Sequence, residues 1–397
     1  MKTADWIAQF RPSQLANMNR HFQGIENFIS LAGGLPDPDL MPKEALANAA
    51  HEVITTKPSA LQYGGDLGEL KDHLIELMGR RGIKTTHKGI TITAGGQHGM
   101  DMFTRLFLNP GGRVMLAQLS YTGIQQAIMP YCPEILTVPI SPTTGLDLDA
   151  LEAQLEAGAK PAFLYTVAAA HNPMGVTMQL ARRERLMEIA RRYQMPVVED
   201  DAYGFLEYDG ESVPALTAID PEWAVYIGSF AKILAPGFRM GWIVAPEEHF
   251  DTLLTIRRLS VLSASPLHQN IIATYFTQNN FSEQLDTIQA AYKRRRDVML
   301  DAMAEHFPEE VTYYKPSGGM FIWVELPKDL DAYEVVQRSA KEAAVGFVPA
   351  MAFVSHPDDM EAFKPYMRLT FVRYGEEVLV EGVARLGRVL KEIVNEK

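Results

Sequence analysis

The sequence predicts an α/β protein with a large domain, built on a mostly parallel sheet between helices, and a smaller α+β domain. Three observations predict it. Short unbroken apolar runs alternate with helical stretches through the middle of the chain. A run of charged and apolar residues at 281–306 reads as one long helix. After Pro308 the texture changes to strands and helices of a different kind. Unbroken apolar strands separated by helices indicate a parallel sheet covered on both faces.

Taken in order, residues 162–167 (AFLYTV) form a β-prone run followed by a loop, HNPMG, and a helix at 179–193. That helix places Leu186, Ile189, Ala190 and Tyr193 on one face. Its basic run (Arg182, Arg183, Arg185, Arg191 and Arg192) reads as a solvated face. Residues 196–199 (PVVE), 225–228 (VYIG) and 241–244 (GWIV) are the next strands. Residues 311–314, 320–325 (MFIWVE) and 367–371 (MRLTF) are the strands of the smaller domain. The expected division is 1–48 as an N-terminal segment packing with the small domain, 49–290 as the large domain and 291–397 as the small one.

Composition bounds the function. The chain has 397 residues, 47% apolar and 22% charged, enough to bury large cores without disulfides or metal. Its 37 basic and 49 acidic residues sum to −12, which argues against general binding of nucleic acid or anionic membrane. The single cysteine, Cys132, excludes an internal disulfide and fits a reducing compartment; a structural role is expected for it. Asp5 and Gln9 interrupt any apolar signal core, and no apolar run approaches the roughly 20 residues needed to span a bilayer. A cytoplasmic protein is expected. The ten histidines suggest no metal site, and His171 reads as a turn residue.

Four segments carry chemistry. The first, GSFAKILAPGFRMG at 228–241, sets Lys232 just after a strand in a mostly uncharged stretch, with Ser229 before it and Arg239 after it. A lysine in a pocket loses its charge readily and attacks an aldehyde. Serine and arginine are residue types that hold a phosphate. The second, VVEDDAY at 197–203, ends an apolar strand in three acids and a tyrosine, where ligands bind in open α/β sheets. Asp200 and Tyr203 can both reach one planar ligand from there. In the third, AHNPMG at 170–175, the Asn172 amide can reach the same ring. The fourth, TAGGQHG at 93–99, opens a helix, and Gly95, Gly96 and Gln97 would offer backbone N–H groups to a phosphate.

With these residues in view, the chain resembles the fold-type I pyridoxal 5′-phosphate enzymes, class I/II aminotransferases, in the subgroup of 2-aminoadipate and aromatic aminotransferases. The resemblance runs from ISLAGGLPDPDLMP near Ile29 to MRLTF near Arg368. It implies that Lys232 binds the cofactor aldehyde, that Asp200 pairs with the pyridinium nitrogen, and that Tyr203 and Asn172 bond the phenolic oxygen. It assigns Tyr121 to stacking on the ring. Gly95, Gly96, Gln97, Ser229 and Arg239 would hold the phosphate. Tyr63, in LQYGGDLG, would reach the phosphate of a neighbouring subunit, which implies a homodimer with shared sites. Arg368 would grip the substrate α-carboxylate, assisted by the backbone near Gly34 and by Asn172. Two departures stand out: Ala231 precedes the lysine where Ser or Thr is common, and NPMG replaces NPTG.

The implied reaction moves an amino group from an L-amino acid to a 2-oxo acid such as 2-oxoglutarate. An uncharged or aromatic side chain is favoured, because no counterpart of a second carboxylate-binding arginine is visible. Asn17 falls near the point where some members place one, and Arg11 and Arg20 are nearby but read as surface residues. The alternative is another reaction on the same scaffold: a lyase, decarboxylase, racemase, or amino-acid oxidase or cyclase. A further alternative is the non-catalytic sensing domain of a MocR-type regulator. It fits less well, since only about 28 residues precede the family segment and the chain is acidic.

Overall fold

The computed structural model describes residues 3–8, 22, 24–210 and 212–396. In chain order its strands are β1 (Ile29–Ser30), β2 (Ile90–Thr93), β3 (Arg113–Ala117), β4 (Glu134–Val138), β5 (Ile140–Ser141), β6 (Gly145–Leu146), β7 (Leu164–Thr166), β8 (Val197–Asp200), β9 (Ala224–Ser229), β10 (Gly241–Val244), β11 (Thr312–Tyr314), β12 (Phe321–Glu325), β13 (Val345–Gly346), β14 (Val348–Pro349) and β15 (Tyr366–Thr370). Seven of them form the central sheet in the order β2-β10-β9-β8-β7-β3-β4. The pairs from β9 through β4 are parallel, and β10 runs antiparallel to both β9 and β2.

The one reversed strand has a local cause. A parallel crossover needs about a dozen residues or more, usually including a helix. Between β9 and β10 lie only turns and the 3-10 turn Pro236–Phe238, so the chain doubles back. Lys232 lies in that return. Strands β2, β7, β8 and β10 are buried at every residue, as their continuous apolar character requires. The sheet is thus mostly parallel between helices, as expected.

The helix expected at 179–193 is Leu180–Tyr193, with Gln179 at its N-cap. One expectation about it is corrected. Arg183 is not on a solvated face; it is completely buried. It sits three and four residues before Leu186 and Met187, so the helical period puts it on the apolar stripe. Its guanidinium donates to Met178 O at 2.8 Å, Pro214 O at 2.8 Å and Ala168 O at 3.0 Å, and lies 3.7 Å from Glu199.

A second, antiparallel sheet has the order β11-β12-β15-β14. The long helix is Phe281–His306 and packs along Glu376–Asn395. Strand β1 pairs in parallel with β13, Ile29 opposite Val345, which ties the start of the described chain to the segment beside this sheet. No described helix is long and apolar enough to cross a membrane. Cys132 is exposed and takes a left-handed conformation after the turn Met129–Tyr131.

Candidate active site

The three acids that end β8 have different surroundings, because successive side chains of a strand point to opposite faces. Glu199 and Asp201 share one face. There Arg81 Nε donates to Asp201 Oδ2 at 2.8 Å, and Arg183 approaches Glu199. Asp200 faces the other way. It is buried, and Tyr165 of β7 donates its hydroxyl to Asp200 Oδ2 at 2.7 Å. Burial raises the Asp200 carboxyl to about 6, against the Tyr165 hydrogen bond, which lowers it; the neighbouring Asp201 charge raises it further and the Lys232 charge lowers it.

Lys232 lies in the return between β9 and β10. Its Nζ donates to Gly34 O at 2.7 Å. Burial lowers the amine to about 8; the Arg368 charge adds to this, Asp200 opposes it, and Arg239 lowers it again. Gly34 has to be glycine, since a Cβ there would stand 2.8 Å from Phe321 Cζ. The amine and the carboxylate therefore converge on one space from different elements.

Asn172, Tyr203 and Arg368 form a chain of contacts. Asn172 Nδ2 donates to the Tyr203 hydroxyl at 3.3 Å, and Asn172 Oδ1 accepts from Arg368 Nη1 at 2.7 Å. Arg368 Nη2 donates to Ala32 O at 2.7 Å. The guanidinium lies over the Phe321 ring at 4.0 Å and the Phe353 ring at 4.7 Å. Burial lowers it to about 10, while Tyr203 and Tyr121 act to raise it. Among the described residues its Nε has no hydrogen-bond partner.

The helix Gly96–Phe107 starts at the edge of this space. Its N-cap, Gly95, has φ 88°, in the left-handed region that glycine tolerates. A Cβ on Gly95 would stand 3.2 Å from Arg239 Nη2, so the guanidinium lies against bare backbone. A Cβ on Gly96 would stand 4.0 Å from Ser229 Oγ. The first N–H groups of a helix lack intrahelical acceptors and carry its positive end. Gln97 has its side chain bound to Gly123 O at 2.8 Å, which leaves its backbone N–H as what it can offer a ligand. Tyr121 caps the next helix, Thr122–Ile128, beside Gln97; burial comes first in raising its phenol.

The structure thus gathers Lys232, Asp200, Tyr203, Asn172, Arg368, Gly34, Tyr121, Gly95, Gly96, Gln97, Ser229 and Arg239 around one site. Tyr63 is apart from these contacts and 86% exposed. Asn17, Arg11 and Arg20 lie outside the described residues. Sequence reasoning missed Tyr165 and the two rings, Phe321 and Phe353, that bracket Arg368. Nothing local marks them: strand pairing brings in Tyr165 and Phe321, and the 3-10 turn Ala350–Phe353 brings in Phe353. Among the described residues no group of three or more His, Cys, Asp or Glu is placed to hold a metal. His171 is buried, which lowers its ring to about 3 and keeps it neutral.

The donor set fits pyridoxal 5′-phosphate. A helix N-terminus with Ser229 and Arg239 suits a dianion, a buried carboxylate suits a ring nitrogen, and an amine of lowered basicity suits an aldehyde. This fold and this cradle define a pyridoxal-phosphate-dependent transferase of fold type I. The chain belongs to the class I and II aminotransferases, whose family profile matches residues 26–375. It is 38% identical to aromatic-amino-acid aminotransferase 1 of Thermococcus litoralis, over 92% of this chain and 88% of the relative. It is 36% identical to 2-aminoadipate transaminase of Thermus thermophilus, over 92% and 91% of the two chains. The crystal structure of Pyrococcus horikoshii kynurenine aminotransferase, in complex with PMP, superposes with a TM-score of 0.92 at 34% identity, covering 99% of this chain and 97% of that one. The protein is an enzyme that transfers amino groups between amino acids and oxo acids, with pyridoxal phosphate as its cofactor.

Proposed function

We propose that this enzyme transaminates L-amino acids with uncharged or aromatic side chains, with 2-oxoglutarate as an acceptor. The observation that carries the reading is Arg368. It is a buried guanidinium bracketed by two phenylalanine rings, with Nε unpartnered and Asn172 on one arm. A planar fork of this kind matches a carboxylate bidentately. The charges that act on the Lys232 amine are Asp200, Arg368 and Arg239. In this reading Asp200 and Arg239 serve the cofactor and Arg368 the α-carboxylate, so none of these charges is left for a second carboxylate.

When bound, pyridoxal phosphate supplies an electron-poor ring that makes the substrate Cα proton acidic. The chain's own residues do the rest. Gly95, Gly96, Gln97, Ser229 and Arg239 would hold the phosphate, and Tyr121 would cover the ring. Asp200 would keep the ring nitrogen protonated, and Tyr203 with Asn172 would bond the phenolic oxygen. Arg368 orients the substrate so that its Cα–H faces Lys232. The Lys232 amine, made less basic by burial, would serve as the general base that takes the Cα proton and the acid that gives it back.

The reading includes a homodimer in which Tyr63 of each subunit completes the partner's phosphate site. The 86% exposure of Tyr63 supports it, as do the exposed apolar residues Leu259 and Leu262. The test incubates the purified holoenzyme with single amino acids and no acceptor. Release of one 2-oxo acid per site, resuming when 2-oxoglutarate is added, is expected, with aromatic donors ahead of 2-aminoadipate and glutamate. Continuous release of ammonia or carbon dioxide would favour another reaction on the scaffold. Preference for a dicarboxylic donor would overturn the side-chain assignment.

A further inference from the structure

Asp200 reaches its place from a strand end, where a backbone hydrogen bond from Ala202 and one side-chain hydrogen bond hold its carboxylate. In the register of β7 and β8, Tyr165 stands opposite Val198. Asp200 is two residues further along β8 and therefore on the same face. The Tyr165 ring spans that offset, and its hydroxyl meets Asp200 Oδ2 at 2.7 Å. Tyr165 is 1% exposed, so no water competes for the bond.

We propose that Tyr165 is a positioning residue, whose hydroxyl holds the Asp200 carboxylate in both the orientation and the ionised form needed to pair with the ring nitrogen of the cofactor. The inference rests on the reading of Asp200 given above. Its physical basis is that burial works against a carboxylate, and a hydrogen bond donated to the ionised form works for it. The groups facing Asp200 are few. Tyr165 comes from β7, Lys232 from the β9–β10 return, Asp201 from the next position on the chain, and Tyr121 and Tyr203 from the loops beside it. Of these, Tyr165 donates a side-chain hydrogen bond to Asp200, and Lys232 is the cation. Once Lys232 is engaged with the cofactor aldehyde, the Tyr165 bond is the main side-chain contact left to favour the carboxylate.

The test measures binding of pyridoxal phosphate to the cofactor-free protein against pH, by quenching of tryptophan fluorescence, in wild type, Tyr165→Phe and Asp200→Asn. Below the point where Asp200 becomes protonated, binding must release a proton and weakens as pH falls. A lost hydrogen bond to a charged group is worth about one pH unit. The midpoint of the acid limb is therefore expected to move up by about one unit in Tyr165→Phe, which weakens binding roughly tenfold on that limb. A merely structural effect would change the level of affinity and leave the midpoint in place. Thermal melting of the cofactor-free variant checks that the isosteric change leaves the fold intact. Infrared difference spectra of the protonated carboxyl in the cofactor-free protein give a second reading of the same midpoint, without cofactor. An unchanged midpoint in Tyr165→Phe, with the acid limb abolished in Asp200→Asn, would overturn the role of Tyr165 and keep that of Asp200. An unchanged acid limb in Asp200→Asn would overturn both.

Discussion

Arg368 Nη1 donates to Asn172 Oδ1 at 2.7 Å, although the two residues are 196 positions apart in the chain, one on strand β15 of the antiparallel sheet and the other in the loop that follows β7 of the central sheet. In the proposed mechanism the bond links the arginine assigned to the α-carboxylate to the loop assigned to the cofactor's phenolic oxygen. In Arg368→Lys the fork is replaced by a point charge that cannot hold both Asn172 and a carboxylate. KM for the amino acid is expected to rise on the order of ten- to a hundredfold. Cofactor affinity should change little, and steady-state kinetics beside a cofactor titration separates the two.

Lys232→Ala removes the amine that the proposed mechanism uses to move the proton. A positioned acid–base group contributes about 10² to 10⁴ in rate, so turnover should fall by at least that much. The cofactor should remain bound without a covalent link, since Ser229, Arg239 and the helix at Gly96 are untouched. Single-turnover release of 2-oxo acid and retention of cofactor through gel filtration check the two halves.

The two central ionisable groups give the cofactor-free protein a definite pH signature. The Asp200 carboxyl is raised from 3.8 to about 6, so between those values the folded form holds a proton the unfolded form has lost. Its contribution to stability falls as pH rises through that window. The Lys232 amine is lowered from 10.5 to about 8, so the unfolded form holds the extra proton, and stability rises from pH 8 towards 10.5. Asp200→Asn, which keeps an acceptor for Tyr165, should therefore stabilise the cofactor-free protein above pH 6 by on the order of 1–3 kcal/mol. Lys232→Met should stabilise it below pH 8 and lose that advantage above 10.5. Denaturant melts across pH read both.

Gly95→Ala places a Cβ 3.2 Å from Arg239 Nη2 and forces an L residue into φ 88°. Arg239 must give way and the first helical N–H groups must tilt. Cofactor affinity is expected to drop roughly tenfold or more, the worth of a charge-assisted hydrogen bond. Equilibrium dialysis of the cofactor-free variant measures it.

Arg183→Met takes from the buried Glu199 the guanidinium 3.7 Å away and removes hydrogen bonds to four carbonyls. Breaking a buried pair from one side costs about 3 kcal/mol or more. Arg185, on the exposed side of the same helix, pairs with Asp149 and Glu152, and Arg185→Ala should leave the unfolding midpoint where it was. Urea melts of the two variants test the assignment of faces.

Much of this site was legible in the linear order of residues. The long helix was expected at 281–306 and occupies those residues, because its capping Asn280 and the following Phe307–Pro308 are local signals. Strand β10 was expected at 241–244 and lies there. Lys232, Asp200, Asn172 and the Gly95–Gly96 turn could each be marked because each sits at the end of a strand or the start of a helix. By itself, then, the sequence determined several of the strands, the helices at 179–193 and 281–306 and which chemistry-bearing residues stand at element ends, since those depend on interactions a few residues long. The tertiary structure alone decided the rest. It set the burial of Arg183, the aromatic bracket around Arg368 and the Tyr165–Asp200 bond. Those follow from strand register and helix rotation, which are settled by packing between segments far apart in the chain, and a shift of one residue in either would send each of these side chains to another face.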